Sequence, residues 1–209
     1  MTTQTPPLHT NLLKRISGEL AQTYQGVFSP ETIERYIFES YTSLARTAKV
    51  HDYLPVLAER FAKDRLRALA LAEGKIATPA PQVLFVCVHN AGRSQIAAAL
   101  LSSYAGDAVE VRSAGSLPSS EIPDVVVDVL AERGIDLAGA FPKPLTDDVV
   151  RGADYVITMG CGDVCPIYPG KHYLDWDLAD PKDETPERVR AIVDEVDERV
   201  RGLWETIQR

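Results

Sequence analysis

Sulfur is scarce in this 209-residue chain, which has three cysteines, Cys87, Cys161 and Cys165, and two methionines. Three cysteines make no disulfide framework of the kind that staples small secreted domains. They point to redox, catalytic or metal roles in a reducing compartment, so a cytoplasmic protein is expected. Long apolar runs are absent as well. Nothing approaches the ~20 residues needed to cross a bilayer, and the opening residues lack the basic start and apolar core of a secretion signal. Positive charge is the third shortage. Lys and Arg number 22 against 30 Asp and Glu, for a net charge of -8, which disfavours nucleic acid as a partner because phosphates require a basic surface. The deficit is uneven, with 10 basic and 8 acidic side chains in residues 1–80 but 12 and 22 in residues 81–209. Any anion affinity in the second part must therefore come from local geometry. Histidines number only four, and His9 and His51 stand isolated and read as solvated.

What is there is ordinary globular material, 45% hydrophobic and 25% charged, in a length that admits one large domain or two unequal ones. One stretch organises it. Val83-Leu84-Phe85-Val86 is a short apolar run that reads as a buried strand. After it come Cys87, the five residues Val88, His89, Asn90, Ala91 and Gly92, then Arg93, Ser94 and a helical segment from Gln95 to Leu101. A strand–loop–helix unit with small loop residues turns successive backbone N–H groups inward and ends at a helix N-terminus, which makes a nest for an oxyanion. Cys87 would lie on its floor, in a field that favours the nucleophilic thiolate. Arg93 adds a planar fork matched to a tetrahedral oxyanion. Taken alone, Cys87 would read as an ordinary buried cysteine at a strand end; C-x5-R-S between strand and helix reads as an anion-binding nucleophile loop.

Ahead of that loop, the pattern predicts a small three-helix bundle within residues 1–76, after a frayed tail over residues 1–7. Leu12, Leu13, Ile16, Leu20 and Tyr24 recur at helical spacing before Gly26. Ser29-Pro30 reads as cap and first residue of a second helix with Ile33, Ile37, Tyr41, Leu44 and Ala48 on one face. Asp52 is positioned to cap a third, with Leu54, Leu57, Phe61 and Leu69 inward and Gly74 beyond its end. Nothing in the bundle suggests chemistry. So small a bundle buries limited apolar surface alone, and its stripes are expected to pack on a second copy, giving a homodimer. Residues 74–81, rich in Pro, Gly and Ala, read as a linker.

Residues 83–209 alternate strands and helices. Further strands are expected over residues 108–113, 153–159 and 172–176. Helices are expected from Pro123 to Gly134 and from Thr185-Pro186 onward, the last with Val189, Ile192, Val193, Val196, Val200, Leu203, Trp204 and Ile207 as one stripe. The fold class is therefore α/β, a four-stranded parallel sheet flanked by helices and preceded by an all-α bundle. Ligands of such sheets bind at the carboxyl ends of the strands. Cys87, Cys161 with Cys165, and Asp180-Pro181 all fall there.

On these stretches the second part resembles the low-molecular-weight tyrosine phosphatase superfamily, and more closely its thiol-dependent arsenate reductase branch. The matching segments are residues 87–95, Ser113-Ala114-Gly115, residues 158–166 and residues 175–181. The N-terminal part resembles the three-helix extension of some actinobacterial members. The resemblance implies that Cys87 attacks the central atom of arsenate while Arg93 and the amides of residues 88–92 hold the equatorial oxygens. Ser94 donates to the thiolate or serves as a plain helix cap. Asn90 shapes the loop, with Ser113 as its support, and the His89 side chain points away from the nest. Asp180 matches the general acid, with Asp175, Asp177 and Asp183 as neighbouring competitors.

The resemblance further implies a relay in which Cys161 attacks the Cys87–arsenic adduct and Cys165 then attacks Cys161, leaving a disulfide for an external thiol. Positions four apart in a helix have Cα atoms about 6 Å apart, near the disulfide range, and Gly160 and Gly162 would permit the movement. No tightly bound cofactor is implied. The implied reductant is a thioredoxin-like or mycoredoxin-like protein; Cys161-x-x-x-Cys165 is shorter than the gap of some thioredoxin-coupled members though it recurs in others, which leaves a low-molecular-weight thiol as an alternative end of the relay. Phosphate and sulfate are competing oxyanions. The alternatives are a tyrosine phosphatase, which needs neither Cys161 nor Cys165, and a non-catalytic oxyanion- or phosphoprotein-binding module. A zinc site from Cys161, Cys165 and His172 would lack a fourth ligand, and no metal is expected.

Overall fold

The computed structural model describes residues 5–160 and 165–209. The chain divides into two compact units, residues 1–77 and 78–209.

The first unit contains α1 (Pro7–Thr23), α2 (Pro30–Ala45) and α3 (Leu54–Ala72). The apolar stripes form its interior: Leu13, Ile16 and Leu20 from α1, Ile33, Ile37, Tyr41 and Leu44 from α2, and Leu54, Ala58, Phe61, Leu66 and Leu69 from α3 are all buried. Ser29 Oγ accepts the Thr32 N–H at 3.3 Å, and Pro30 opens α2. Three details depart from the sequence pattern. Pro7 is already helical, and Ala48 lies beyond the end of α2. Asp52 does not cap α3: Tyr53 occupies the cap position without a side-chain bond. Pro55 contributes to this, because it removes one of the two N–H groups, at residues 54 and 55, that a cap at residue 52 would engage. The interior also holds a charge. Arg65 lies 4.4 Å over the Tyr36 ring and donates to Ser40 Oγ at 3.2 Å and Glu39 Oε2 at 3.1 Å, so its burial is compensated by bonds and by ring contact.

The second unit is built on strands β1 (Gln82–Cys87), β2 (Glu110–Gly115), β3 (Tyr155–Met159) and β4 (His172–Asp175), all parallel and ordered β2-β1-β3-β4. β1 is central and all six of its residues are buried, which is why it reads as an unbroken apolar run. Helices α4 (Arg93–Ala105), α5 (Asp124–Ala131), α6 (Asp147–Arg151) and α7 (Pro186–Ile207) complete the unit. Val189, Ile192, Val193, Val196, Val200 and Leu203 of α7 enter one core with Ile96, Leu100 and Leu101 of α4 and Val126, Val129 and Leu130 of α5. Thr185 caps α7 by accepting the Arg188 N–H. β2 begins two residues later than the pattern suggested, because Gly106–Ala108 form a turn of 3-10 helix and Ala114-Gly115 continue the strand. Helix α6, too short for periodicity to reveal, was not anticipated. Among the described residues, no helix is long and apolar enough to cross a membrane.

Candidate active site

Parallel pairing brings the carboxyl ends of the strands to one rim. Cys87, the last residue of β1, is level with Gly115 at the end of β2 and with Met159 at the end of β3. The chain leaving β3 toward Cys161 therefore starts beside the Cys87 strand end. Cys161 lies outside the described residues. Cys165 is buried, and Cys87 is a buried free thiol.

The loop after Cys87 is turned by bonds on its outer side. The carbonyls of Cys87, Val88 and His89 accept the N–H groups of Ser116 (3.1 Å), Leu117 (2.8 Å) and Ser119 (3.0 Å). In a planar trans peptide the N–H opposes the C=O, so the amides of Val88, His89 and Asn90 face the other way. The Asn90 N–H reaches Cys87 Sγ at 3.2 Å. Asn90 takes a positive φ of 47° to make this turn, a conformation that asparagine tolerates better than most residues. Ala91 is buried, and Gly92 passes so close to Pro181 that a methyl group on it would lie 2.4 Å from Pro181 Cγ.

Helix α4 starts at Arg93, and residues 93–97 of its opening are buried without interruption. Gly92, not Ser94, holds the cap position. Ser94 Oγ lies 3.0 Å from Cys87 Sγ and accepts from Asn90 Nδ2 at 2.9 Å. When Cys87 is a thiolate its sulfur can only accept, and the Ser94 hydroxyl is then the donor of this contact. Asn90 Oδ1 accepts from the Lys143 N–H at 2.8 Å and from Gln95 Nε2 at 3.2 Å. Gln95 Nε2 also bonds the carbonyls of Asn90 and Phe141. Asn90 is thus held by Ser94, Gln95 and Lys143 and not by Ser113, which is buried in β2 opposite Phe85. The sequence pattern marks neither Gln95 nor Lys143 as a site residue. A glutamine on a helix usually reads as solvent-facing, and Lys143 acts through its backbone.

Asp180 comes from the segment after β4. Trp176 and Leu178 bury in the core, Trp176 packs at 5.8 Å from the Phe85 ring, and Arg199 of α7 donates to the Asp177 carbonyl. Asp180 Oδ2 accepts from Arg93 Nη2 at 2.7 Å, Oδ1 accepts the Lys182 N–H at 3.1 Å, and Arg93 Nη1 donates to the Leu178 carbonyl at 3.4 Å. Asp180 alone of the competing aspartates has a bond to Arg93; Asp175 bonds Thr158 and Asp183 is in a left-handed turn. Gly160, at a φ of 70°, lies against the Arg93 guanidinium. His172 stacks on Tyr155 at 4.7 Å between ring centroids. Among the described residues, no group of three or more His, Cys, Asp or Glu could hold a metal ion; the Cys161 member of the zinc set lies outside them.

A thiol, a hydroxyl donor, inward amides, a guanidinium and a carboxylate therefore converge at the C-terminal edge of β1. Residues 82–209 match the family described as low molecular weight phosphotyrosine protein phosphatase, and residues 13–70 match the protein-tyrosine-phosphatase-like N-terminal domain. The chain belongs to the low molecular weight phosphotyrosine protein phosphatase family. Within that family it is similar to a solved structure of the Corynebacterium glutamicum thioredoxin-dependent arsenate reductase Cg_ArsC1'. The two are 68% identical with a TM-score of 0.89, over 96% of this chain and 98% of that one. A putative arsenate reductase of Halobacterium salinarum is 35% identical over 126 residues, 58% of this chain and 89% of that protein. The YwlE arginine phosphatase of Geobacillus stearothermophilus is 30% identical with a TM-score of 0.54, covering 61% of this chain and 93% of that one. The family's fold thus serves both reductases and phosphatases, so the reaction must be argued from the thiols.

Proposed function

We propose that this chain, a thiol-dependent arsenate reductase, works through Cys87, Cys161 and Cys165 in that order. The observation that carries the proposal is the setting of Cys87, with Ser94 Oγ at 3.0 Å, the Asn90 amide at 3.2 Å and the Arg93–Asp180 pair on the same rim. Cys87 attacks arsenic, the S–As bond forms, and one oxygen leaves with a proton from Asp180. The amides of residues 88–92 and Arg93 stabilise the oxyanion. Cys161 then attacks Cys87 Sγ; the S–S bond forms and the S–As electron pair stays on arsenic, which is released as arsenite. Cys165 attacks Cys161 Sγ, freeing Cys87 and leaving a Cys161–Cys165 disulfide. An external dithiol takes over that disulfide, and a thioredoxin-type protein is the proposed donor, supported by the named dependence of the Corynebacterium relative.

Disulfide mapping after one turnover with arsenate, with no reductant present, tests the order of the thiols. One equivalent of arsenite and a Cys161–Cys165 disulfide are expected. Cys165→Ser should still release one equivalent but stop at a Cys87–Cys161 disulfide, and Cys161→Ser should release none. Cys87→Ser should abolish turnover while oxyanion binding persists. Three free thiols with steady hydrolysis of an aryl phosphate, unchanged in the Cys161→Ser/Cys165→Ser double variant, would establish the phosphatase reading in its place.

A further inference from the structure

His89 lies in the nucleophile loop, yet its side chain is 37% exposed and turned to the rim, with Nδ1 4.0 Å from Asp180 Oδ2. That oxygen is the one Arg93 Nη2 holds at 2.7 Å. Arg93 cannot present its full fork to an oxyanion while one arm grips Asp180, since bidentate recognition of a tetrahedral anion needs adjacent N–H groups on the same ligand. A carboxylate released beside an incoming anion is repelled by it unless another cation takes it up. Among the described residues, the charged groups facing His89 are Asp180, from the segment after β4, and Arg93 of α4 through the shared oxygen; the Lys182 backbone N–H donates to Asp180 Oδ1.

We infer that His89 is a positioning residue of this site: it receives Asp180 when an oxyanion takes Arg93, and it supplies the proton that Asp180 delivers. The inference rests on the reading of Cys87, Arg93 and Asp180 given above. A small rotation closes the 4.0 Å separation to hydrogen-bond distance, so Nδ1–H donates to Oδ2. As Cys87 Sγ bonds to arsenic and an As–O bond breaks, the Nδ1 proton passes to Oδ2 and from Oδ2 to the departing oxygen, so Asp180 ends as the carboxylate it began as and arsenic stays pentavalent. Solvent then reprotonates the imidazole on its exposed side. Imidazole suits this role because one ring nitrogen can donate to Oδ2 while the other exchanges with solvent.

The test uses sulfate, whose charge is constant across the range, with the full chain carrying Cys87→Ser so that the nucleophile itself is not a thiol. Dissociation constants are measured by chemical-shift titration at pH 5.8 and 8.2. With His89 present, sulfate should bind about fivefold more tightly at the lower pH, the ordinary worth of a half-exposed ion pair. His89→Ala should bind weakly at both values, and His89→Lys should bind tightly at both. Because His89 is 37% exposed, neither change opens a core cavity. In the parent enzyme, the ratio of kcat/KM for arsenate between wild type and His89→Ala should fall as pH rises from 6 to 8, with part of the change in kcat. A ratio that is flat with pH, or equal sulfate affinity with and without His89 at pH 5.8, would overturn the inference. Loss of sulfate binding in every variant would overturn the oxyanion-loop reading and this inference with it. Sulfate results as expected in a wild-type protein that releases no arsenite would overturn only the reductase mechanism.

Discussion

Ser94 reaches Cys87 and Asn90 together because it stands in the first turn of α4, where the chain doubles back over the end of β1. A hydrogen bond to a charged group contributes about 1.5–3 kcal/mol, so Ser94→Ala should slow single-turnover arsenite formation roughly ten- to a hundredfold. Quenched-flow measurement of arsenite would check this; a rate within twofold of wild type would reduce Ser94 to a packing residue. Cys87, Arg93 and Ser94 were legible in the sequence because nucleophile, fork and hydroxyl each declare their chemistry at fixed spacing. Gln95 was not. Its amide serves the carbonyls of Asn90 and Phe141 and the side chain of Asn90, partners that only folding assembles. Ser113 was misread as the support of Asn90 for the same reason.

At the scale of elements, β1 and α7 were readable because one is apolar throughout and the other carries an apolar stripe over its whole length. β2 was read two residues early, since its alternation is carried by half-buried Glu110, Val111 and Arg112 and its end is fixed by pairing of Gly115 with Cys87. That end tolerates no side chain. A methyl group at Gly115 would lie 2.7 Å from the Val88 carbonyl oxygen and 2.9 Å from the Asn90 nitrogen, both backbone atoms that a rotamer change cannot move. Gly115→Ala is therefore expected to displace the nucleophile loop. Sulfate affinity and kcat/KM should both fall at least tenfold, while overpacking lowers stability by about 1–3 kcal/mol. Thermal unfolding measured beside kinetics would separate the two effects, and unchanged kinetics would show that the strand end gives way instead of the loop.

For the whole molecule, the helical unit has an interior of its own yet leaves Leu8, Val50, Tyr53 and Val56 exposed. Three of them, Val50, Tyr53 and Val56, lie close together in sequence around the start of α3, and an apolar patch there would favour association. We propose that this unit joins two copies, and light scattering at micromolar concentration should give about twice the 22.9 kDa chain mass; a monomer would refute it. No residue pattern could have fixed that outcome, because apolar stripes show that a face is covered and not by what. The bonds of the nucleophile loop have a different reach. Ser116, Leu117 and Ser119 tie its carbonyls, and Gln95 and Lys143 tie Asn90, all from within one chain. The loop's torsions are therefore frozen during folding, and little conformational entropy is left to lose when a tetrahedral anion enters. Affinity is then governed by stripping water from the anion, which makes the site a discriminator of hydration strength among ions of like shape.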